Sequence, residues 1–187
     1  MKFAERMKRF NTSIFSVMAE MKQKELAKGK AVFDLSVGTP NIPPAPHIIK
    51  ALVESAQDTK NYVYALSDTD ELQDAVSGWY RRRYGVELDP HTEVTSLLGS
   101  QDGLSDIPGD VVLVPDPGYP IFADGPALAG AELYYVPQRR ENGYVIDLKA
   151  IPEDVARRAK FMVVSYPNNP TTSIAPPSFY RGLVAFA

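Results

Sequence analysis

Three short segments, each following an apolar run, carry residue types suited to binding a small anionic or aromatic ligand. They are GSQDG at 99–103, PDPGYP at 115–120 and SYPNNPTT at 165–172. A glycine-rich turn that leads into a helix directs backbone N–H groups at one point, which favours a phosphate. Tyr119 offers a flat ring for stacking, and either Asn168 or Asn169 offers an amide to a ligand oxygen.

Each segment alone also fits an ordinary role. GSQDG is compatible with a plain turn, Tyr119 with a packing tyrosine, and the Asn-Asn-Pro sequence with a β-turn. The arginines at 81–83 suit a solvated helix end that complements the helix dipole as well as they suit a phosphate contact. Asp102 and Asp106 are typical of surface turn residues. No single segment therefore indicates a binding site, and only the three segments together point to one.

The elements that must position these segments alternate between strands and helices. Apolar runs predict strands at residues 31–37, 92–98, 111–114, 131–136 and 161–165. Helical spacing predicts helices at residues 48–56, 70–84 and 121–129 and from residue 177, with a further helix or subunit-packing arm in residues 1–30. Residues 148–159 are predicted to be mostly helical, with an interruption by Pro152 near the start. This alternation predicts an α/β fold with a largely parallel sheet, and such sheets bind ligands beyond the carboxyl ends of their strands.

Composition excludes several other classes of protein. The chain has 187 residues, a formal net charge of −3 and 44% hydrophobic residues, as in an ordinary globular protein. It contains no apolar run long enough for a membrane span and no secretory signal, so we expect a cytoplasmic protein that does not bind a membrane. It has no excess of basic residues, so we expect no nucleic-acid partner. Cysteine is absent and only His47 and His91 are histidines, so we expect no metal centre. The sequence contains neither a GxGxxG nor a GxxxxGK[ST] motif, either of which would indicate a nucleotide-binding domain.

Five stretches together resemble a known family. FDLSVGTPNIPP, NYVYALSDTDELQDAVSGWYRRRYG, LLGSQDG, PGDVVLVPDPGYPIF and SYPNNPTT are similar, in type and order, to the N-terminal half of class I/II, fold-type I aminotransferases that depend on pyridoxal 5'-phosphate (PLP). The similarity is greatest to the branch that contains LL-diaminopimelate aminotransferases. It implies a homodimer that exchanges an amino group between an amino acid and a 2-oxo acid.

The resemblance also implies an architecture. Residues 1–45 would form an N-terminal arm and a small-domain segment, and residues 46–187 a partial PLP-binding large domain. That large domain is a three-layer structure around a mostly parallel sheet, here incomplete.

The resemblance assigns cofactor roles residue by residue. Ser100 and Gln101 match the turn that holds the cofactor phosphate, and Tyr119 matches the aromatic ring that stacks on the pyridine. Asn169 matches the asparagine that donates to the phenolic oxygen. The pyridine ring of PLP withdraws electrons from a carbanion, so the protein must fix its plane and its hydrogen bonds.

Two further residues receive roles from the same resemblance. Tyr64 matches a tyrosine that reaches the cofactor phosphate of the neighbouring subunit. Gly38, in the SVGTPN turn, matches the glycine whose backbone N–H binds the substrate carboxylate.

The chain departs from the family pattern in two ways that affect activity. No lysine occupies a position matching the lysine that forms the Schiff base with PLP, so the chain alone contains no residue for the covalent and proton-transfer steps. Only residues 104–107 separate GSQDG from PGD, too few for the helix that the family places there. An alternative is therefore a non-catalytic, truncated homologue that binds PLP weakly or pairs with a partner subunit.

Overall fold

The computed structural model describes residues 7, 8, 10, 12–105 and 111–187. The chain divides into two compact units. The N-terminal unit is Thr12–Ser96, and the sheet unit is Leu97–Ala187 with the described residues among the first eleven. The predicted division at residue 45 into an arm and a partial large domain stays a prediction.

Helices dominate the N-terminal unit, which contains α1 (Ile14–Leu26), α2 (Pro46–Gln57), a 3-10 turn (Thr59–Asn61) and α3 (Asp70–Tyr84). Local chemistry fixes their ends. Oγ of Ser13 accepts the N–H of Phe15 at 3.3 Å before α1, and Oγ1 of Thr69 accepts the N–H of Leu72 at 3.3 Å before α3. Helix α3 ends at Gly85, whose φ of +68° suits a residue without Cβ. The helices predicted over residues 48–56 and 70–84 are confirmed.

A parallel sheet forms the centre of the sheet unit, with β1 (Val111–Asp116), β2 (Glu132–Pro137) and β3 (Ala159–Met162) in the order β2-β1-β3. The first four side chains of β1 are at most 1% exposed. A central parallel strand is covered on both faces, which explains why this strand is a continuous apolar run. The structure thus confirms the predicted α/β class and the parallel sheet.

Helices cover both faces of the sheet. The sheet unit also contains α4 (Ser100–Ser105), α5 (Ile121–Leu128), α6 (Glu153–Arg158), α7 (Pro177–Phe186) and 3-10 turns at Arg140–Asn142 and Leu148–Ala150. Alternate residues of β1 face opposite sides. Val112 and Val114 pack in a cluster with side chains of α4 and α5, whereas Val111 and Leu113 pack in a cluster with side chains of α6 and α7. The predicted three layers are therefore present.

Two predicted strands do not form within the described residues. The segments 31–37 and 92–98 have no ladder partner there, and Phe33 and Leu35 are 92% and 95% exposed. The predictions were wrong because an apolar run becomes a strand only beside a neighbour that takes up its backbone hydrogen bonds. Strand β3 also begins at Ala159 and ends at Met162, instead of spanning residues 161–165.

The segment predicted as the turn GSQDG is largely helical. Helix α4 begins at Ser100, inside the motif, and extends to Ser105. The expectation that residues 104–107 are too few for the family's helix stays a prediction, and the six-residue helix that is present starts within the glycine-rich motif instead of after it. Asp106 and Ile107, which belong to the same short segment, lie outside the described residues.

The interruption predicted within the helical segment at residues 148–159 is confirmed. Pro152 separates the 3-10 turn Leu148–Ala150 from α6. Proline has no N–H to donate to a preceding turn, so the helix can start only after it.

Helix α5 approaches the end of α4 at Gly125. A Cβ atom at Gly125 would lie 2.7 Å from the carbonyl oxygen of Leu104 and 2.9 Å from its carbonyl carbon. Because these neighbours are backbone atoms, a side chain at Gly125 would displace α4 from α5.

We expect Gly125→Ala to lower the free energy of unfolding by about 1–3 kcal/mol because it overpacks this contact. The control is Gly182→Ala in α7, where the nearest atom to a new Cβ is Cδ1 of Leu148 at 3.8 Å. That substitution should raise stability by up to about 1 kcal/mol, since alanine favours a helix. Thermal unfolding followed by circular dichroism measures both, and equal effects would contradict the close contact of α4 with α5.

The helices of the N-terminal unit expose apolar faces. No residue of the described helices α1, α2 or α3 is buried, and Ile48, Leu52 and Val53 of α2 are exposed on neighbouring turns. Large exposed apolar patches are typical of surfaces that pair with other protein. Among the residues that the structure describes, no helix is long and apolar enough to cross a membrane.

We expect the 187-residue chain, expressed alone, to self-associate or to precipitate through such apolar faces. Sizing chromatography with light scattering measures its molar mass. Leu52→Glu should shift the distribution towards the monomer, whereas Lys50→Glu on the same helix removes the exposed ion pair with Glu54 but leaves the apolar side chains in place, and should not. A sharp monomer peak for the unmodified chain, with cooperative unfolding, would contradict this expectation.

Candidate functional site

The loop after β1 brings Tyr119 close to Gln101. Tyr119 is half-buried, and its ring packs edge-on against Phe122, with ring centroids 6.0 Å apart and planes at 73°. Its Oη lies 3.5 Å from Nε2 of Gln101 in the first turn of α4. The turn before the ring requires glycine, since a Cβ at Gly118 would lie 2.6 Å from the carbonyl oxygen of Pro115. Two predicted cofactor residues from separate segments therefore lie together.

Helix α4 carries Ser100 and Gln101 at its amino-terminal end. Both residues are exposed. The first backbone N–H groups of a helix have no partner within the helix, so they are available to other acceptors. Because α4 has only six residues, the donors of this segment are its amides and the Ser100 hydroxyl, with little support from a helix dipole.

The loop after β3 presents Asn169 on the surface, directly after the buried Asn168. Backbone hydrogen bonds close this loop. The N–H of Thr172 donates to the carbonyl of Asn168 at 2.6 Å, and the N–H of Asn168 donates to the carbonyl of Ser173 at 3.0 Å. The side-chain Nδ2 of Asn168 also donates to the carbonyl of Pro117 at 3.3 Å. This contact connects the loop that bears Asn169 to the loop after β1.

The sequence analysis did not single out Gln138, which the structure places within the same group of loops. Gln138 is 5% exposed, and its Oε1 accepts a hydrogen bond from Nδ2 of Asn168 at 3.0 Å. Its backbone N–H donates to the carbonyl of Asp116 at 2.7 Å. The signal that could have identified Gln138 is its position directly after β2, because parallel strands end at one edge of the sheet.

Gly38 and Tyr64, the other two predicted site residues, lie in the N-terminal unit. Tyr64 is 92% exposed, and a Cβ at Gly38 would lie within 4 Å of no other residue in the described part of the chain. The loop after Tyr64 is held by Asp68, which accepts hydrogen bonds from the Ser96 hydroxyl and, at 2.7 Å, from the Ser96 N–H. These bonds, the hydroxyl first, lower the pKa of Asp68 below its usual value. The assigned roles of Gly38 and Tyr64 stay predictions.

The remaining polar candidates lie on the surface. His47 and His91 are exposed, and Nδ1 of His91 lies 3.2 Å from Oε1 of Gln73. The arginines at 81–83 are exposed in the last turn of α3. Asp102 is exposed in α4. Over the described ranges 12–105 and 111–187, no three histidine or carboxylate side chains cluster as metal ligands.

Comparison with known proteins decides the family. Residues 30–187 match the family described as aminotransferase class I and II. The chain belongs to this family of PLP-dependent enzymes.

Relatives of this aminotransferase chain include two LL-diaminopimelate aminotransferases. The protein of Syntrophobacter fumaroxidans is 44% identical over 98% of this chain and 49% of its own length. The protein of Aquifex aeolicus is 40% identical over 99% of this chain and 50% of its own length. The chain therefore spans about half the length of the curated relatives it matches.

Solved structures agree with this membership. Apo-BacF from Bacillus subtilis is 35% identical and superimposes with a TM-score of 0.90, over 100% of this chain and 50% of its own. A probable N-succinyldiaminopimelate aminotransferase from Thermus thermophilus is 36% identical, with a TM-score of 0.85 over 94% of this chain and 49% of its own. An aspartate aminotransferase from Rhizobium meliloti shares the fold at 20% identity, with a TM-score of 0.87 over 100% of this chain and 48% of its own.

The residues at the edge of the sheet fit PLP in kind. A phosphate takes hydroxyl and N–H donors, which Ser100 and Gln101 offer at the start of α4. A planar ring takes a stacking surface, which the half-buried Tyr119 offers beside Gln101. A phenolic oxygen takes an amide donor, and the exposed amide of Asn169 is free to supply one.

We expect Tyr119→Ala to weaken PLP binding to the complete gene product by roughly three- to tenfold, which corresponds to about 0.5–1.5 kcal/mol of aromatic stacking. Tyr119→Phe should weaken binding by about twofold or less, because the Gln101 contact is at the outer limit of a hydrogen bond. Equilibrium dialysis measures the dissociation constants. Tyr135→Ala, at an exposed tyrosine of β2, is the control. Equal losses for the phenylalanine and alanine variants would contradict a stacking role.

Proposed function

We propose that the complete product of this gene is a PLP-dependent aminotransferase that exchanges an amino group between LL-diaminopimelate and a 2-oxo acid. The observation that carries the proposal is identity of 35–44% to proteins named LL-diaminopimelate aminotransferase over 98–100% of the chain. The arrangement of Gln101, Tyr119 and the Asn168 loop at one sheet edge supports it.

In this proposal the sheet unit holds the cofactor. PLP, when bound, supplies an electron-withdrawing ring that stabilises negative charge at the substrate carbon. Tyr119 stacks on that ring and fixes its plane, and Asn169 donates its amide to the phenolic oxygen. Ser100 and Gln101 donate to the phosphate. Since these donors stand on loops held by the sheet, the chain orients the cofactor before substrate arrives.

The amine for proton transfer lies elsewhere in this proposal. No lysine of the chain matches the family's Schiff-base lysine, and transamination requires one. The chain spans about half of its curated relatives, and we place the lysine in the part of those relatives that it does not span. The sequence-based alternative, a non-catalytic homologue that binds PLP weakly or pairs with a partner, then becomes an outcome of the test.

In this proposal the N-terminal unit contributes contacts to the substrate and to a partner subunit. The backbone N–H of Gly38 binds the substrate carboxylate, and Tyr64 reaches the cofactor phosphate of a second subunit in a cytoplasmic homodimer. The exposure of Tyr64, at 92%, and the open surroundings of Gly38 leave both groups accessible to such contacts.

Substrate preference of the complete gene product tests the proposal. We expect LL-diaminopimelate to give a higher kcat/KM than aspartate, alanine or N-succinyldiaminopimelate as amino donor across a panel of 2-oxo acids. Asn169→Ala should lower kcat/KM by about tenfold or more through the lost hydrogen bond, and Asn142→Ala, at an exposed position, is its control.

Two results would contradict parts of the proposal. A preference for aspartate or alanine would reject the substrate but keep the reaction. Absence of any transamination, with no lysine labelled by borohydride in the presence of PLP, would reject the reaction and favour the non-catalytic alternative.

A further inference from the structure

One buried amide joins the loops that carry the predicted cofactor residues. Asn168 is 2% exposed, and its Nδ2 lies 3.3 Å from the carbonyl oxygen of Pro117, 3.0 Å from Oε1 of Gln138 and 2.9 Å from Oγ1 of Thr171. Pro117 lies in the loop after β1, Gln138 directly follows β2, and Thr171 lies in the loop after β3. A single side chain thus contacts all three strand exits.

The direction of these hydrogen bonds is fixed by groups that can only accept. The carbonyl of Pro117 accepts only, so the amide nitrogen of Asn168 must face it. At the other end, Oγ of Ser173 donates to the carbonyl of Tyr144 at 3.3 Å. The hydroxyl of Thr171, 2.9 Å from Oγ of Ser173, must then donate to Ser173 and accept from Asn168. The network therefore has one orientation, in which the two amide hydrogens of Asn168 are shared among three acceptors.

The network reaches both residues predicted to touch the cofactor ring. Asn169 is the next residue after Asn168, and the 2.6 Å bond from the N–H of Thr172 to the carbonyl of Asn168 closes the turn around it. Pro117 lies two residues before Tyr119 in the loop after β1. A shift of the buried amide would therefore move the surface amide and the stacking ring relative to each other.

The other amide atom of Asn168 is also buried. Among the residues that the structure describes, its Oδ1 has no hydrogen-bond partner. The side-chain contacts of Asn168 with the three loops are therefore made by its amide nitrogen alone.

We propose that Asn168 is a positioning residue that fixes the Asn169 amide and the Tyr119 ring in one geometry for the PLP ring, an inference that rests on the proposed function. Asn168 does not touch the cofactor. It acts through Pro117, Gln138 and Thr171, and the hydroxyls of Thr171 and Ser173 extend the same network to the carbonyl of Tyr144.

The test uses substitutions in the complete gene product. Asn168→Ala removes all three contacts, and Thr171→Val removes the hydroxyl at nearly constant shape. Thr171→Ser retains the hydroxyl, so it should keep the hydrogen exchange and PLP ellipticity of the unmodified protein, which Thr171→Val should change. The matched control is Asn142→Ala, which removes an exposed amide from the same unit.

Amide hydrogen exchange without PLP measures the loops directly. The reporters are the N–H groups of Phe122, Gln138 and Thr172, which donate to the carbonyls of Tyr119, Asp116 and Asn168. We expect Asn168→Ala to accelerate exchange at all three by about tenfold or more, while Val163, whose N–H donates to the carbonyl of Leu113 in the sheet, changes little. Unchanged exchange at Phe122 and Gln138 would overturn the proposal.

Circular dichroism of bound PLP measures the ring's orientation. We expect Asn168→Ala to weaken PLP binding by about tenfold and to change the ellipticity per bound cofactor, with a smaller change for Thr171→Val and almost none for Thr171→Ser. Unchanged ellipticity per bound cofactor, with only a lower Tm, would reduce Asn168 to a structural residue and overturn the proposal.

The two measurements separate this proposal from the proposed function. If the unmodified protein takes up no PLP, the proposed function fails. Hydrogen exchange then decides the inference alone. Acceleration at Phe122 in Asn168→Ala but not in Asn142→Ala supports the coupling of the loops, and equal exchange overturns it.

Discussion

Parallel pairing of β1 with both of its neighbours is the constraint on which the candidate site depends. Because β2 and β3 run in the same direction as β1, the carboxyl ends of all three strands lie at one edge of the sheet. Residues distant in sequence, such as Asp116 and Gln138, are thereby brought within hydrogen-bonding distance. The buried Asn168 uses this convergence to join three loops, and the surface groups that suit PLP are carried on those loops and on α4.

The sequence predicts those parts of the fold that local chemistry determines. The apolar run at residues 111–114 predicted a strand where β1 lies, and helical spacing predicted a helix over residues 70–84, where α3 lies. The order of the motifs indicated the aminotransferase family, which residues 30–187 match. The family resemblance assigned Gln101 and Tyr119 to one cofactor site, and in the structure Nε2 of Gln101 lies 3.5 Å from Oη of Tyr119.

The parts that the sequence did not predict depend on neighbours distant in the chain. Residues 31–37 are apolar enough for a strand, yet they have no ladder partner among the described residues. Helix α4 begins inside a motif that predicts a turn, and its last residues pack against α5 at Gly125, a contact between segments that the sequence pattern does not reveal. Gln138 carries no motif of its own, and its position in the network is visible only when the strands are paired.

A crystal structure of the complete gene product grown with PLP would show whether the cofactor lies at the carboxyl edge of this sheet. We expect the ring on Tyr119, the phosphate against Ser100 and Gln101, and the Asn169 amide at the phenolic oxygen. PLP bound elsewhere, or at this edge with its phosphate away from α4, would contradict this expectation.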